Sequence, residues 1–168
     1  MISIVKVDCI AIPAIKILAH TTWAIAYKEI LSQHQMDYML ELMYSEAALN
    51  QQIEQGHQQF ILASNEKQPA GFASYSPKNT ATPYIFHLHK IYIHPNQQGN
   101  GVGKLLLNYV LQDIKCTGAT NLQLNVNRNN PALNFYLKFG FTIIREEDID
   151  IGNGYFMNDY VMDFELEK

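Results

Sequence analysis

Apolar positions recur along this chain with two different periods, and each change of period marks an element. Ile2 to Val7 alternates as a half-buried strand does. From Ile12 to Leu31 and from Asp37 to Gln55 the apolar residues return every three or four positions, which predicts two or three helices. Gln59 to Ala63 and Ala70 to Tyr75 read as a hairpin around Asn65-Glu66-Lys67-Gln68-Pro69. Tyr84 to Ile93 reads as a strand with its odd-numbered positions on one face. A helix is predicted from Gly101 to Cys116, with Leu106, Val110 and Ile114 on one stripe and Gly118 just past its end. Asn121 to Val126 is a further strand. Asn130 then caps a helix with Pro131 at its first position and Gly140 after its last. Two closing strands flank Gly152-Asn153-Gly154, and no repeat or low-complexity linker interrupts the series.

The junction between the strand at Ile91-Tyr92-Ile93 and the helix near Gly101 holds the richest chemical signal. Its turn reads Gln98-Gly99-Asn100-Gly101-Val102-Gly103-Lys104. A strand, a glycine-rich turn and a helix start together present backbone N–H groups and the positive end of a helix dipole to an anion. The turn is therefore read as a pyrophosphate cradle. Its glycine spacing differs from the dinucleotide fingerprint, and no acidic ribose partner follows ~20 residues later. It also lacks the four-residue gap and the Ser or Thr after lysine that define a Walker loop.

The pattern Gln98-Gly99-Asn100-Gly101-Val102-Gly103 resembles the Gln/Arg-x-x-Gly-x-Gly/Ala motif of the GNAT N-acetyltransferase superfamily, which binds acetyl-coenzyme A. Two further segments carry the same resemblance. Asn129, Ala132, Tyr136, Gly140 and Phe141 match the family's Asn-x-x-Ala-x-x-x-Tyr-x-x-x-Gly-Phe block, and Lys90-Ile91-Tyr92-Ile93-His94-Pro95 is similar to its basic-Leu-Tyr-Val-x-Pro strand end. The match covers Pro69 to Phe164. It implies an α/β (α+β) GNAT fold: a mixed, mostly antiparallel sheet with splayed central strands and helices on both faces. Where those strands splay, the main chain at Ile91, Tyr92 and Ile93 is implied to hydrogen-bond the pantetheine arm.

Composition narrows the setting. The chain has 168 residues, enough for a single domain over 1–168 with a real core. It shows no uninterrupted apolar run of bilayer length and no secretory leader pattern, so a cytoplasmic enzyme without a membrane partner is expected. Cys9 and Cys116 are too few for a disulfide framework, and no His, Cys and carboxylate set has metal-ligand spacing. A net charge of −4 argues against nucleic acid as a partner. Dimers through the late strands are what the family resemblance adds.

Acetyl transfer to an amine requires a deprotonated nucleophile, a stabilised oxyanion and a protonated leaving thiolate. Tyr136 matches the family tyrosine near the thioester sulfur and is read as the general acid, its alternative being a core aromatic beside Phe135 and Phe139. Many relatives carry a glutamate on the strand before the glycine loop as base. Here His87 and His89 stand at the corresponding places, on the same strand face as Ile91 and Ile93, and either could take a proton near neutral pH. His20, His34, His57 and His94 have no such context and are read as surface or loop residues. Asn129 resembles the asparagine that contacts the cofactor, and Lys104 and Lys138 are placed near its phosphates, with solvated lysines as the alternative.

The acceptor pocket is expected from the N-terminal helices and the late hairpin. Trp23 and Tyr27 share a helix face, as do Asp37 and Glu41, and Glu146, Glu147, Asp148 and Asp150 form an acidic run. Trp23, Tyr27 and Glu41 are the candidate acceptor contacts. An aromatic and acidic pocket suits a small amine or polyamine, as in the spermidine/spermine-type members that the N-terminal pattern loosely resembles. The resemblance implies an acetyl-CoA:amine N-acetyltransferase; the alternatives are a noncatalytic acyl-CoA-binding module and an enzyme acting on protein N-termini.

Overall fold

The computed structural model describes residues 1–55 and 57–168. Chain order among them is β1 (Ile2–Val7), α1 (Ile12–Ala26), α2 (Gln33–Tyr44), α3 (Glu46–Glu54), β2 (Gln59–Asn65), β3 (Gln68–Pro77), β4 (Ile85–Ile93), α4 (Val102–Lys115), β5 (Asn121–Asn127), α5 (Ala132–Phe139), β6 (Thr142–Gly152) and β7 (Tyr155–Glu165). The seven strands hydrogen-bond in the order β1-β2-β3-β4-β5-β7-β6. The pairs β1–β2, β2–β3, β5–β7 and β6–β7 are antiparallel and β4–β5 is parallel, so the sheet is mixed and mostly antiparallel. Two compact units divide the chain, Met1–Ser76 with Lys90–Val110 and Pro77–His89 with Leu111–Lys168; β4 and α4 contribute residues to each.

In the first unit, the long helical region predicted between Ile12 and Gln55 breaks at two serines. The Ser32 hydroxyl accepts from the Gln35 N–H (3.1 Å) and that of Ser45 from the Ala48 N–H (3.2 Å), so each caps a new helix. Helix α2 therefore starts at Gln33, ahead of the predicted Asp37, because the cap and not the apolar period sets its first turn. The β2–β3 hairpin is also tighter than predicted. Its turn is Glu66-Lys67, both in the left-handed region (φ 49° and 70°), where the mirror-image turn suits the twist of the strands. The helical stretch Cys9–Ala26, though interrupted by Lys16, is long and apolar enough by composition to cross a bilayer. In this fold Ile12, Ile15, Leu18, Ala19 and Trp23 are buried, the core-facing stripe of a packed helix, while Ile17 and Ile25 stay exposed.

The core of this unit is aromatic. Trp23 lies 4.5 Å from Tyr27, 5.8 Å from Tyr44 and 6.1 Å from Tyr92 between ring centroids, and Phe72 lies 5.8 Å from Tyr92. In the second unit, Leu122, Leu124, Val126 and Met162 are buried, and Phe139, Phe141 and Phe164 stack within 6.0 Å of one another. Helix α5 starts one residue later than predicted. Asn130 still serves its first turn, its Oδ1 accepting from the Ala132 N–H at 2.9 Å. At the other end Gly140 takes φ +121°, and a Cβ there would lie 3.2 Å from the Phe164 ring. The β6–β7 turn falls on Asn153-Gly154, as its sequence predicts.

One core residue is anomalous. Lys90 on β4 is 8% exposed, and among the described residues it has no acidic partner. Its Nζ lies 5.6 Å from the Tyr44 ring centroid and 5.7 Å from that of Phe60, and it donates only weakly to Gln58 Oε1, at 3.5 Å. Burial disfavours the ammonium and pushes its pKa down from 10.5 to about 8. The unfolded chain thus binds the proton more tightly, and the folded state loses stability as pH falls from 10.5 through 8. Replacing Lys90 with the similarly shaped methionine should raise stability by up to about 3 kcal/mol at neutral pH. The gain should shrink as pH rises towards 10.5, which urea unfolding across pH will check.

Candidate functional site

The glycine turn is built by local chemistry. After β4, His94 Nδ1 accepts from the Asn96 N–H (3.2 Å) and opens a 3-10 turn over Pro95–Gln97. Gln98 is extended, with its Nε2 3.5 Å from the Ile93 carbonyl oxygen. Gly99 and Gly101 then adopt φ +81° and +78°, which an L side chain resists. A Cβ at either would meet nothing within 4 Å, so conformation and not crowding demands glycine there, and the space above both is open. The Leu105 N–H bonds the Gly101 carbonyl at 3.0 Å as the first bond of α4. The amides of Val102, Gly103 and Lys104 precede it and have no acceptor within their own helix. Val102 is buried under the turn, while Asn100 and Lys104 are exposed.

Upstream, β3 approaches β4 unusually closely. A Cβ at Gly71 would lie 2.8 Å from the Tyr92 carbonyl oxygen and 3.0 Å from Ile93 Cδ1, so glycine is a steric requirement. The His94 N–H donates to the Ala70 carbonyl (2.8 Å) and closes this edge. Ile91, Tyr92 and Ile93 are all half-buried. The β4–β5 ladder runs from Ile85↔Asn121 to Leu88↔Leu124 and ends there, although β5 continues to Asn127.

The candidate acceptor residues separate. Trp23 and Tyr27 are 2% and 9% exposed, whereas Glu41 stands exposed on α2. The Tyr27 and Tyr92 hydroxyls are 3.5 Å apart at the margin of the aromatic core. The Trp23 Nε1–H is buried beside the Tyr44 hydroxyl, whose ionisation burial and then the nearby Tyr27 drive far above the ordinary range.

In the second unit, Tyr136 sits on α5, 7% exposed, with its ring 5.5 Å from Phe135 and 5.8 Å from Phe141. Asn129 is exposed, its N–H donating to Asn127 Oδ1 at 2.9 Å, and Lys138 is exposed in the last turn of α5. The His87 and His89 rings are 4.9 Å apart, on one face of β4 as alternation requires. In register, His87 stands opposite Gln123, Gln123 opposite Asp163, Asn127 opposite Asp159, and Asp159 opposite Glu147. These side chains share one polar face, with Leu122, Leu124 and Val126 on the other.

Sequence reasoning missed this polar face. Its only signal was the alternation in Asn121-Leu122-Gln123-Leu124-Asn125-Val126-Asn127, which says that the amides share a side but not what joins them there. Asp159 is 2% exposed; burial raises its pKa, partly offset by the Asn125 amide at 3.4 Å. Glu147 is held below the usual range by Arg145, at 2.7 Å, and then by Asn125. Asp148 and Glu146 are paired with Arg128 at 2.6 and 3.7 Å. Much of the acidic run is thus already engaged by arginines of this chain. Among the described residues no group of three or more His, Cys, Asp or Glu is arranged to hold a metal ion.

Known proteins resemble this chain in sequence and in fold. Over 98 residues the chain is 31% identical to the peptidyl-lysine N-acetyltransferase YjaB of Salmonella typhimurium, covering 57% of this chain and 59% of that one. Over 95 residues it is 30% identical to the N-alpha-acetyltransferase RimI of Mycobacterium tuberculosis, covering 56% and 59%. The chain therefore spans about three-fifths of the length of these relatives. Its fold is that of the PaiA N-acetyltransferase of Thermoplasma acidophilum, solved with coenzyme A (TM-score 0.83, 23% identity, 99% of each chain). The ribosomal-protein-S18-alanine N-acetyltransferase of Escherichia coli shares it too (TM-score 0.74, 16% identity, 100% of this chain and 96% of that one). A family model described as the acetyltransferase (GNAT) domain matches residues 28–163, and the chain belongs to the GNAT acetyltransferase family.

Proposed function

We propose that this protein transfers an acetyl group from acetyl-CoA to a primary amine carried by a peptide or protein. The observation that carries the donor half is the open, left-handed glycine turn leading into the 14-residue helix α4. The pyrophosphate is received by the amides of Gly99 to Lys104, with Gln98 beside them and the Lys104 ammonium adding charge. The pantetheine arm bonds the main chain at Ile91 to Ile93, and Asn129 and Lys138 contribute further cofactor contacts. Tyr136 protonates the leaving thiolate and His87, with His89 next to it, accepts the amine's proton. Tyr27 and Glu41 contact the acceptor, and Trp23 holds the Tyr27 ring.

A peptide amine is favoured over a free polyamine for two reasons. The matched relatives are named for acetylation of peptidyl lysine and of α-amino groups. The features that suggested a polyamine are largely committed within the fold: Trp23 is buried, and Glu146, Glu147 and Asp148 of the acidic run are engaged by Arg128 and Arg145. CoA release should be measured against peptides with a free N-terminus or an internal lysine, and against small amines including polyamines. The peptides should be the better acceptors. No CoA release with any amine, in a protein that binds acetyl-CoA, would leave only a binding module.

The donor site has its own test. Gly101→Asp adds a side chain at φ +78° and a negative charge where the phosphates approach. Calorimetry should show at least about a tenfold loss of CoA affinity in a protein that still unfolds cooperatively, the scale of a kcal/mol or more of charge and strain. Undiminished binding would remove the cradle.

The acid and base are separable by kinetics. Tyr136→Phe should lower turnover by ~10²-fold or more with acetyl-CoA affinity nearly intact, the scale of general acid catalysis. His87→Ala should lose the rise of activity with pH near the imidazole range, about pH 6–7.5, together with much of the rate, while His89→Ala keeps that rise. If both histidine variants retain the wild-type profile, the base lies elsewhere.

A further inference from the structure

Lys78 follows β3, and its backbone N–H donates to the Ile85 carbonyl at 2.8 Å, which pins it beside the first residue of β4. The side chain is exposed, yet its Nζ makes a short hydrogen bond, 2.7 Å, to Gln123 Oε1. Gln123 itself is 8% exposed and already oriented. Its Nε2 donates to Asp163 Oδ1 at 2.9 Å, and Asp163 Oδ2 accepts from Asn121 Nδ2 at 2.8 Å. An ionised carboxylate only accepts, so Asp163 fixes the amide of Gln123 with its carbonyl turned to Lys78. The neighbour of Gln123 across the parallel β4–β5 pair is His87, on the same face and one strand spacing away, about 4.8 Å. A solvent-accessible primary amine is thus held by a preorganised carbonyl beside an imidazole.

We propose that Lys78 is an acetyl acceptor within its own chain, a self-acetylation site on the polar face of the second unit. The inference rests on acetyl transfer with His87 as base. The Lys78 ammonium gives a proton to the neutral His87 imidazole, and the Nζ lone pair attacks the thioester carbonyl carbon of acetyl-CoA. The C–N bond forms and the C–S bond breaks; Tyr136 protonates the leaving thiolate to give free CoA, and the second Nζ proton restores the Tyr136 hydroxyl. The product is a neutral amide on Nζ, and no oxidant or reductant takes part. Acetylation removes a positive charge near Glu147, leaving that face more acidic towards an incoming amine.

The test uses the full chain with acetyl-labelled acetyl-CoA and no added acceptor, followed by peptide mapping by mass spectrometry. CoA release with the peptide panel is measured in parallel. Label is expected on Lys78 at a first-order rate that does not change when the protein is diluted about tenfold, as an intramolecular step requires. The label on that residue should vanish in Lys78→Arg, which keeps the charge and a donor for Gln123. It should form at least about tenfold more slowly in Tyr136→Phe, whose acid the step needs. Label spread over surface lysines at equal rates in wild type and Tyr136→Phe would be chemical acetylation and would overturn the proposal. So would a rate that rises with protein concentration. An unlabelled Lys78 in a protein that turns over the peptide panel would overturn self-acetylation and leave the transfer reading standing; if the panel is inert as well, both fall.

Discussion

Side-chain alternation along β4 is the constraint on which the rest of this structure depends. A strand sends successive side chains to opposite faces, so nine residues from Ile85 to Ile93 serve two purposes at once. Phe86, Leu88, Lys90 and Tyr92 point one way, and the first three are buried. His87, His89, Ile91 and Ile93 point the other way. The main chain is left for a third use, and Gly71 brings β3 within contact of it. A one-residue slip in the register of β4 would exchange the two histidines for a lysine and two core residues.

The two units handle buried polarity differently. In the first, Lys90 is surrounded by rings and has one weak hydrogen bond, so its charge is a net cost to the fold. In the second, buried Asp159 and Gln123 sit in networks with Asn125, Asn121 and Asp163, and each network also includes a group near the surface. Such a network holds donors and acceptors in set orientations without an apolar substitute.

Family membership and site chemistry rest on different kinds of observation. The glycine turn is a backbone device, recognisable because glycine adopts φ near +80° at Gly99 and Gly101 without strain and leaves the space above them open. The roles of Tyr136 and His87 are side-chain roles. Tyr136, 7% exposed beside Phe135 and Phe141, has the packing of a core aromatic, while the acid role proposed for it is a matter of its hydroxyl. Kinetics, and not packing, separates those two functions.

By itself the sequence determined the elements and the glycine turn, because both depend on local chemistry. Period-two and period-3.6 patterns placed β1, β4, β5 and α4 to within a residue or two. The glycines at 99, 101, 118, 140 and 154 all take the positive φ that their turns need. Where a polar cap or a non-glycine turn overrode the apolar period, as at Ser32 and Glu66-Lys67, the boundaries moved. Only the tertiary structure decided which long-range partners polar residues would find. It paired Glu146 and Asp148 with Arg128 and Glu147 with Arg145, buried Trp23 while leaving Glu41 in solvent, and set Lys78 against Gln123 beside His87. Those outcomes follow from contacts between residues distant in sequence, Lys78 and Gln123 being 45 positions apart, and no local pattern encodes such a contact.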